Sequence, residues 1–334
     1  MKFRMVRRAF ISIMFFQTKT GITSSPPLSR NIKPMFKRQS SLESCDMNSE
    51  IRISAQTSVV GVIGDPVRHS LSPVIHNAGF RSLGVDWVYV AFEVTAGKTA
   101  DSLSALRTLH LRGLSVTMPH KTEMATLVDR SSAAAIALRS VNTVEVASDG
   151  ALVGHSTDGE GLLENLRSHG VQVENLSVLV IGAGGAGRSV VDALTRHGCN
   201  RVVVANRSLD AAVFAAGLAP VGSRAITLSD APALRHATQE CDLIIHATSM
   251  GMGETGSESV LPMPLDLLQQ RHIVVDLVYH PLHTALLRVA KEKGCQIVDG
   301  LGMLVHQAAL QQEIWTGHLP DIQAMLAAAS QALS

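Results

Sequence analysis

Val178-Leu179-Val180-Ile181-Gly182-Ala183-Gly184-Gly185-Ala186-Gly187-Arg188-Ser189-Val190-Val191-Asp192-Ala193-Leu194 decides how the rest of this chain is read. An apolar run, a glycine-rich turn and a helical pattern follow one another without a gap. Strand, glycine turn, helix is the context in which such a motif binds a dinucleotide. The first glycine permits the sharp turn and the second lets the backbone approach a pyrophosphate. That group then sits on the positive end of the helix. Position matters too: well over a hundred residues precede Gly182, enough for another domain that holds a substrate.

Working outward, a second strand at 201–205 ends in Asn206-Arg207-Ser208. An NAD site usually carries Asp or Glu there for the ribose 2′-hydroxyl, whereas Arg offers a planar donor fork to a 2′-phosphate, so Arg207 points to NADP. Further strands fit 243–245 and 273–276, and helices fit 284–293 and 305–315. On the other side of the turn, a buried strand at 59–63 runs into Gly64-Asp65-Pro66. Ser72-Pro73 then offers an N-cap and a proline at the first helical position, for a helix ending near Leu83. A strand at 87–92, a helix at 98–109, a strand at 114–116 and a helix after Pro119 continue the alternation, which argues for βαβ units and a mainly parallel sheet. Residues 144–146 and 152–153 read as a hairpin around Asp149-Gly150, and 159–169 as a connecting helix. The expected fold class is α/β with two domains: a Rossmann-type doubly wound NADP-binding domain, and an α/β substrate-binding domain formed by N-terminal and C-terminal segments. The expected limits are 159–300 for the former, and 58–158 with 301–334 for the latter.

The composition agrees with two domains of ordinary size: 334 residues, 46% hydrophobic and 17% charged, with 26 glycines. Net charge is +1, yet residues 1–42 hold nine basic side chains and no acidic one. The rest carries 20 basic against 28 acidic residues, a net of −8 that argues against nucleic-acid binding. Residues 1–57 read as a disordered or targeting-like extension, with Met47 as an alternative start, and are left out of the fold. No apolar run approaches the ~18 residues of a membrane span. Cys45, Cys199, Cys241 and Cys295 are far apart and expected to be free thiols, which suits a cytoplasmic protein. His69, His76, His120 and His155 fall near motifs without a ligand-set spacing, so no metal is expected.

The motifs also occur in a characteristic order: His69-Ser70-Leu71-Ser72-Pro73, Ser115-Val116-Thr117-Met118-Pro119-His120-Lys121, Val141-Asn142-Thr143, Ser156-Thr157-Asp158-Gly159, and the turn Gly182–Gly187. Ala247-Thr248-Ser249-Met250-Gly251-Met252, Asp276-Leu277-Val278-Tyr279 and Gly300-Leu301-Gly302-Met303-Leu304-Val305-His306-Gln307 follow. Across 58–320 this resembles the shikimate dehydrogenase family. The resemblance implies reversible NADPH-dependent reduction of 3-dehydroshikimate to shikimate, on the route to chorismate and the aromatic amino acids.

Reducing a ketone adds hydride to carbon and a proton to oxygen, so a positioned acid is needed. Lys121 matches the family's catalytic lysine and Asp158 its carboxylate partner, which also holds a substrate hydroxyl. Ser70 and Ser72 resemble the pair that binds the substrate carboxylate, with Tyr279 nearby. Thr117, Asn142 and Gln307 match positions that hydrogen-bond ring hydroxyls. For the cofactor the resemblance implies Gly182, Ala183, Gly184, Gly185, Ala186, Asn206, Arg207, Ser208, Leu277 and Gly300. Two departures from the family pattern, Ser115 and Ser156, each stand where asparagine is common. A third, Ala211, replaces a basic residue that often completes the phosphate clamp. They keep open a quinate/shikimate dehydrogenase of relaxed NAD/NADP use. A non-catalytic shikimate-sensing module is a further alternative, weakened by the presence of both Lys121 and Asp158. A monomer or homodimer is expected.

Overall fold

The computed structural model describes residues 53–252 and 262–334; the extension expected at 1–57 lies outside these as far as residue 52, as does Cys45. The chain begins with β1 (Ser58–Gly64), α1 (Ser72–Leu83), β2 (Trp87–Glu93), α2 (Thr99–Thr108), β3 (Gly113–Val116) and α3 (Lys121–Leu127). β4 (Arg130–Ser131), α4 (Ala133–Leu138) and the hairpin β5 (Thr143–Val146) and β6 (Leu152–His155) complete a first series, from which α5 (Asp158–Ser168) leads away. The second series is β7 (Ser177–Ile181), α6 (Gly185–Arg196), β8 (Arg201–Asn206), α7 (Leu209–Ala216), β9 (Arg224–Thr227) and α8 (Ala231–Glu240). It continues with β10 (Leu243–His246), β11 (Ile273–Asp276), α9 (Ala285–Glu292) and β12 (Gln296–Val298). Two helices, α10 (Gly300–Thr316) and α11 (Ile322–Leu333), close the chain.

The second series forms one six-stranded parallel sheet in the order β12-β11-β10-β7-β8-β9, which is the doubly wound arrangement expected. Its strands are apolar throughout because both faces are covered. Val178, Val180, Val202, Val204 and Ile245 point into one core with α5 and α6. Leu179, Ile181, Val203 and Ile244 point into the other, with α8 and α9. Burying each such side chain contributes about 1.5–3 kcal/mol. The strand order reverses between β7 and β10, which opens a crevice at their carboxyl ends, where Gly182 sits.

The first sheet, β2-β1-β3-β5-β6-β4, is mixed, not mainly parallel as the alternation suggested. β1 pairs in parallel with β2 and β3, but β5 runs antiparallel to β3 and also to β6, to which a tight hairpin joins it. Leu103 and Leu106 of α2 and Met124 of α3 cover one face. Phe80 of α1 covers the other, with Tyr89 of β2.

The chain returns to this first lobe through α10 and α11. Ile75 of α1 packs with Leu301 and Val305 of α10 and with Met325 and Ala329 of α11. The Trp315 indole N–H donates to the Val144 carbonyl at 3.0 Å. Between the lobes, α5 is flanked by α6 and α10 at very short range. A Cβ on Gly159 would stand 2.3 Å from the Ser189 carbonyl, and one on Gly161 2.7 Å from the Gln307 backbone nitrogen.

Two local expectations need correction. Ser72 is not the N-cap of α1: Leu71 occupies that position, and the Ser70 hydroxyl accepts from the Ser72 backbone N–H at 3.2 Å. Helix α10 begins at Gly300, five residues earlier than its apolar pattern suggests, with Asp299 capping the Leu301 N–H. Glycine is a poor helix former, but a Cβ on Gly302 would overlap Asn165 Oδ1 at 1.9 Å, so close contact with α5 requires it.

Candidate active site

The site is a cleft of about 690 Å³, counted out to its open mouth. Ser72, Thr117, Lys121, Asn142, Asp158 and Gln307 line it on the first-lobe side, together with Ala186, Leu277, Tyr279 and Gly300. Ten residues singled out from the sequence thus meet in one place. Ser70 stands behind Ser72, and Gly182, Ala183, Gly184, Gly185, Asn206, Arg207 and Ser208 are not part of the cleft wall.

Lys121 begins α3 and Asp158 begins α5, so two helix N-termini bring their first side chains together. Lys121 Nζ donates to Asp158 Oδ2 at 2.6 Å, with the side chains 19% and 9% exposed. That is buried enough to be held and open enough to meet a ligand. The carboxylate also gains from the partial positive charge at the start of α5. Asn142 holds it from the other side: Nδ2 donates to Asp158 Oδ1 at 2.7 Å and to Thr157 Oγ1 at 2.9 Å. The Asn142 oxygen accepts from the Thr157 N–H at 3.0 Å and from Thr143 Oγ1 at 2.8 Å. A backbone N–H can only donate, so this contact fixes the amide's orientation. Every hydrogen-bonding position of Asn142 is thereby engaged within the chain.

A second polar chain underlies the cleft floor. Ser115 Oγ donates to Gln311 Oε1 at 2.6 Å, and Gln311 Nε2 donates to the Asn142 carbonyl at 3.3 Å. Both residues line the cleft and are buried. Sequence reasoning passed over Gln311, although a signal existed: it lies four residues past Gln307, hence on the same helical face. Burial pushes the Tyr279 phenol above its ordinary pKa, so it keeps its proton and remains a donor. Thr117 fits against Gly64, where a Cβ would come within 2.5 Å of its methyl carbon.

The glycine turn borders this cleft. Gly182 has φ 115°, a left-handed value, and a Cβ there would lie 2.8 Å from the Ala247 carbonyl. Gly187 is closed off by the Gly182 carbonyl, 2.2 Å from an added Cβ, whereas Gly184 faces open space within 4 Å. Gly185 lies beside Lys121: an added Cβ would be 3.4 Å from its Cδ. The first turn of α6 has no acidic residue to compete with an anion. Ala183 is buried in the apolar core, so its side chain is structural. At the end of β8, Arg207 is exposed, Asn206 Nδ2 donates to the Ser208 carbonyl at 3.1 Å, and the Ser208 hydroxyl caps α7. Together these features fit a dinucleotide bearing a phosphate at its ribose.

The histidines have other partners. His120 is buried, with Nδ1 2.9 Å from Thr99 Oγ1 and Nε2 2.7 Å from the Val94 carbonyl. His155 pairs with Glu145 at 2.9 Å, and His76 stacks on Tyr89 with ring centroids 4.0 Å apart. His69 is exposed.

A doubly wound sheet whose glycine turn abuts a lysine–carboxylate pair is the organisation of a dinucleotide-dependent oxidoreductase. Comparison with known proteins narrows the class. Residues 62–144 match the shikimate dehydrogenase substrate-binding domain, 164–278 the shikimate/quinate 5-dehydrogenase domain, and 300–329 the shikimate 5′-dehydrogenase C-terminal domain. The chain is 39% identical over 272 residues to the shikimate dehydrogenase (NADP(+)) of Alkaliphilus metalliredigens, covering 80% of this chain and 94% of that one. A crystal structure of a shikimate dehydrogenase in complex with NADP+ superposes with a TM-score of 0.78 at 33% identity, over 85% of this chain and 98% of the other. The Thermus thermophilus shikimate 5-dehydrogenase, crystallised with NADP(H) and shikimate, gives 0.74 at 37% identity, over 83% and 100%. The protein belongs to the shikimate dehydrogenase family.

Proposed function

We infer that the protein catalyses the reversible NADPH-dependent reduction of 3-dehydroshikimate to shikimate. The observation that carries this reading is the Lys121–Asp158 contact at 2.6 Å, set next to Gly185 of the dinucleotide turn. NADPH, when bound, supplies the hydride. Gly182, Gly184 and Gly185, with Ala186, Leu277 and Gly300, would hold its pyrophosphate and nicotinamide ends, and Asn206, Arg207 and Ser208 would hold its phosphorylated ribose.

Lys121 delivers a proton from Nζ to the ketone oxygen and takes it back in the oxidation direction. Asp158 keeps that ammonium aimed at the reacting carbon and accepts a hydrogen bond from a ring hydroxyl. Asn142 fixes the carboxylate, while Thr117 and Gln307 meet the remaining hydroxyls. Ser72 and Tyr279 donate to the substrate carboxylate, and Ser70 holds the turn that presents Ser72. A site made of such groups disfavours analogues that leave them unpaired.

We assign 58–158 and 301–334 to the substrate lobe and 159–300 to the cofactor lobe. The expected assembly is a monomer or a homodimer. Buried free thiols at Cys199, Cys241 and Cys295 suit a reducing compartment such as the cytoplasm.

The deciding experiment compares kcat/KM for shikimate and quinate, each with NADP+ and NAD+, in the native enzyme and in Lys121→Ala. We expect shikimate with NADP+ to lead, and the variant to lose about 10²–10⁴-fold while keeping its melting temperature. Turnover retained in Lys121→Ala would overturn the mechanism. Quinate turned over as well as shikimate, with either nucleotide, would select the broader quinate/shikimate activity. Tight shikimate binding without turnover in the native protein would select the sensing module.

A further inference from the structure

Arg139 has left-handed backbone, with φ 47°, at the C-cap of α4. Glycine adopts this conformation freely, whereas an arginine there is strained. Its side chain is exposed and, among the described residues, forms no ion pair. The guanidinium instead lies over the Phe214 ring of α7, 5.2 Å from the centroid. Arg188, in the first turn of α6, approaches the same ring at 5.6 Å. An exposed cation–π contact is a weak reason to retain backbone strain. Retained strain at a site of like charge points to a ligand.

The two guanidiniums do not neutralise each other. Burial, and after it the charge of Arg139, lowers the Arg188 pKa. Arg188 is tied down by its contacts to the Leu138 carbonyl at 2.9 Å and Thr122 Oγ1 at 3.3 Å, and its buried Nε has no partner among the described residues. The Arg139 side chain has no such ties among the described residues. Exposed Arg207 stands just before the N-terminus of the same α7. Three cations therefore gather around one short helix, with no carboxylate paired to any of them among the described residues.

Ala211 and Phe214 are three residues apart and so share a face. Ala211, partly buried against the core, adds no charge between Arg207 and Phe214, and Arg139 reaches over Phe214 from the other lobe. We propose that Arg139 supplies, from the substrate lobe, the second cation for the ribose 2′-phosphate of NADP, beside Arg207. The proposal rests on the NADP reading above. Its planar fork suits the oxygens of a phosphate monoester. Cofactor choice then depends on a residue outside the Rossmann sheet, and α4 joins the nucleotide site.

The test is binding of NADP+ and NAD+ to the full chain without substrate, by calorimetry, alongside melting temperature. Arg139→Gly is expected to weaken NADP+ roughly tenfold, the factor corresponding to about 1.4 kcal/mol. NAD+ is expected to change less than twofold, and the melting temperature to hold or rise as the backbone strain is relieved. Adding Ala211→Arg to Arg139→Gly is expected to restore NADP+ affinity. An unchanged NADP+/NAD+ ratio in Arg139→Gly, or equal weakening of both nucleotides, overturns the proposal. A fall in melting temperature with that ratio intact assigns Arg139 a purely structural contact and also overturns it. Because no shikimate is present, failure of the shikimate reading leaves this outcome unaffected.

Discussion

The two six-stranded sheets solve the same packing problem with opposite chemistry at their working ends. The parallel sheet presents backbone: Gly182, Gly184 and Gly187 are defined by what a Cβ would strike or by what its absence admits. The mixed sheet presents side chains, held in register by hydrogen bonds through Asn142 and Gln311. A dinucleotide needs a close, featureless approach to its phosphates, while a polyhydroxylated ring needs a donor or acceptor for each oxygen. The difference teaches that damage on the two sides should separate, into loss of fold or nucleotide on one and loss of substrate or proton handling on the other.

The largest expected effect probes the backbone side. Gly187→Val would drive a side chain into the Gly182 carbonyl, already 2.2 Å from an added Cβ, so a loss of more than about 3 kcal/mol in urea unfolding is expected. Gly184→Ala, three residues away, meets nothing within 4 Å and should keep the fold while weakening NADP+ binding. If both variants lose stability equally, the distinction between packing and approach glycines within this turn is wrong.

An intermediate effect belongs to the side-chain lobe and to pH. Burial lowers the His76 pKa from 6.5 to about 3. Gln312 Nε2 donates to both the His76 carbonyl at 2.9 Å and Nδ1 at 3.2 Å, which matches a neutral ring. The folded pKa lies below the unfolded one, so the unfolded chain binds the extra proton. Stability is therefore complete above about pH 6.5 and falls as pH drops toward 3, by about 1.4 kcal/mol per pH unit. Urea unfolding at pH 7 and pH 5 should differ by about 2 kcal/mol on this account. A His76→Gln variant showing the same pH slope would remove His76 as its cause.

The smallest expected change in activity concerns the cleft floor. Gln311→Leu leaves the Ser115 hydroxyl without its partner, while the Asn142 carbonyl keeps the Val116 N–H at 2.7 Å, so the cost is about 1 kcal/mol. Steady-state kinetics should then show KM for shikimate raised several-fold, with the dissociation constant of NADP+ unmoved. A change in NADP+ binding instead would mean that the lobes are less independent than the comparison holds.

Four strands of the parallel sheet could be read from the sequence because their signals are local: apolar runs, one glycine turn and Arg207 at a strand end; the short edge strands β9 and β12 carry no such run. The Lys121–Asp158 pair was legible through motif order, not through spacing, since 37 residues separate its members. Ser115–Gln311 spans 196 residues and joins a strand to a distant helix, a contact that no local pattern encodes. Ser72 was misread as a cap because Ser-Pro suits that position intrinsically, yet Ser70 meets the free N–H from two residues away. The early start of α10 was hidden because Gly300 and Gly302 disfavour a helix locally and earn their place only by tertiary contact. A carbon on Gly300 would lie 2.4 Å from the Leu277 carbonyl.

The paired glycines of α5 carry a consequence for mutational sensitivity. By removing side-chain bulk from opposite flanks of a single turn, Gly159 and Gly161 let α6 and α10 close on α5 like the jaws of a vice. Asp158 is the residue immediately before that clamped turn. Its carboxylate is thus aligned by steric exclusion as well as by polar contacts. Even a methyl group at position 161, 2.7 Å from the Gln307 backbone nitrogen, is expected to shift Asp158 and its contact with Lys121.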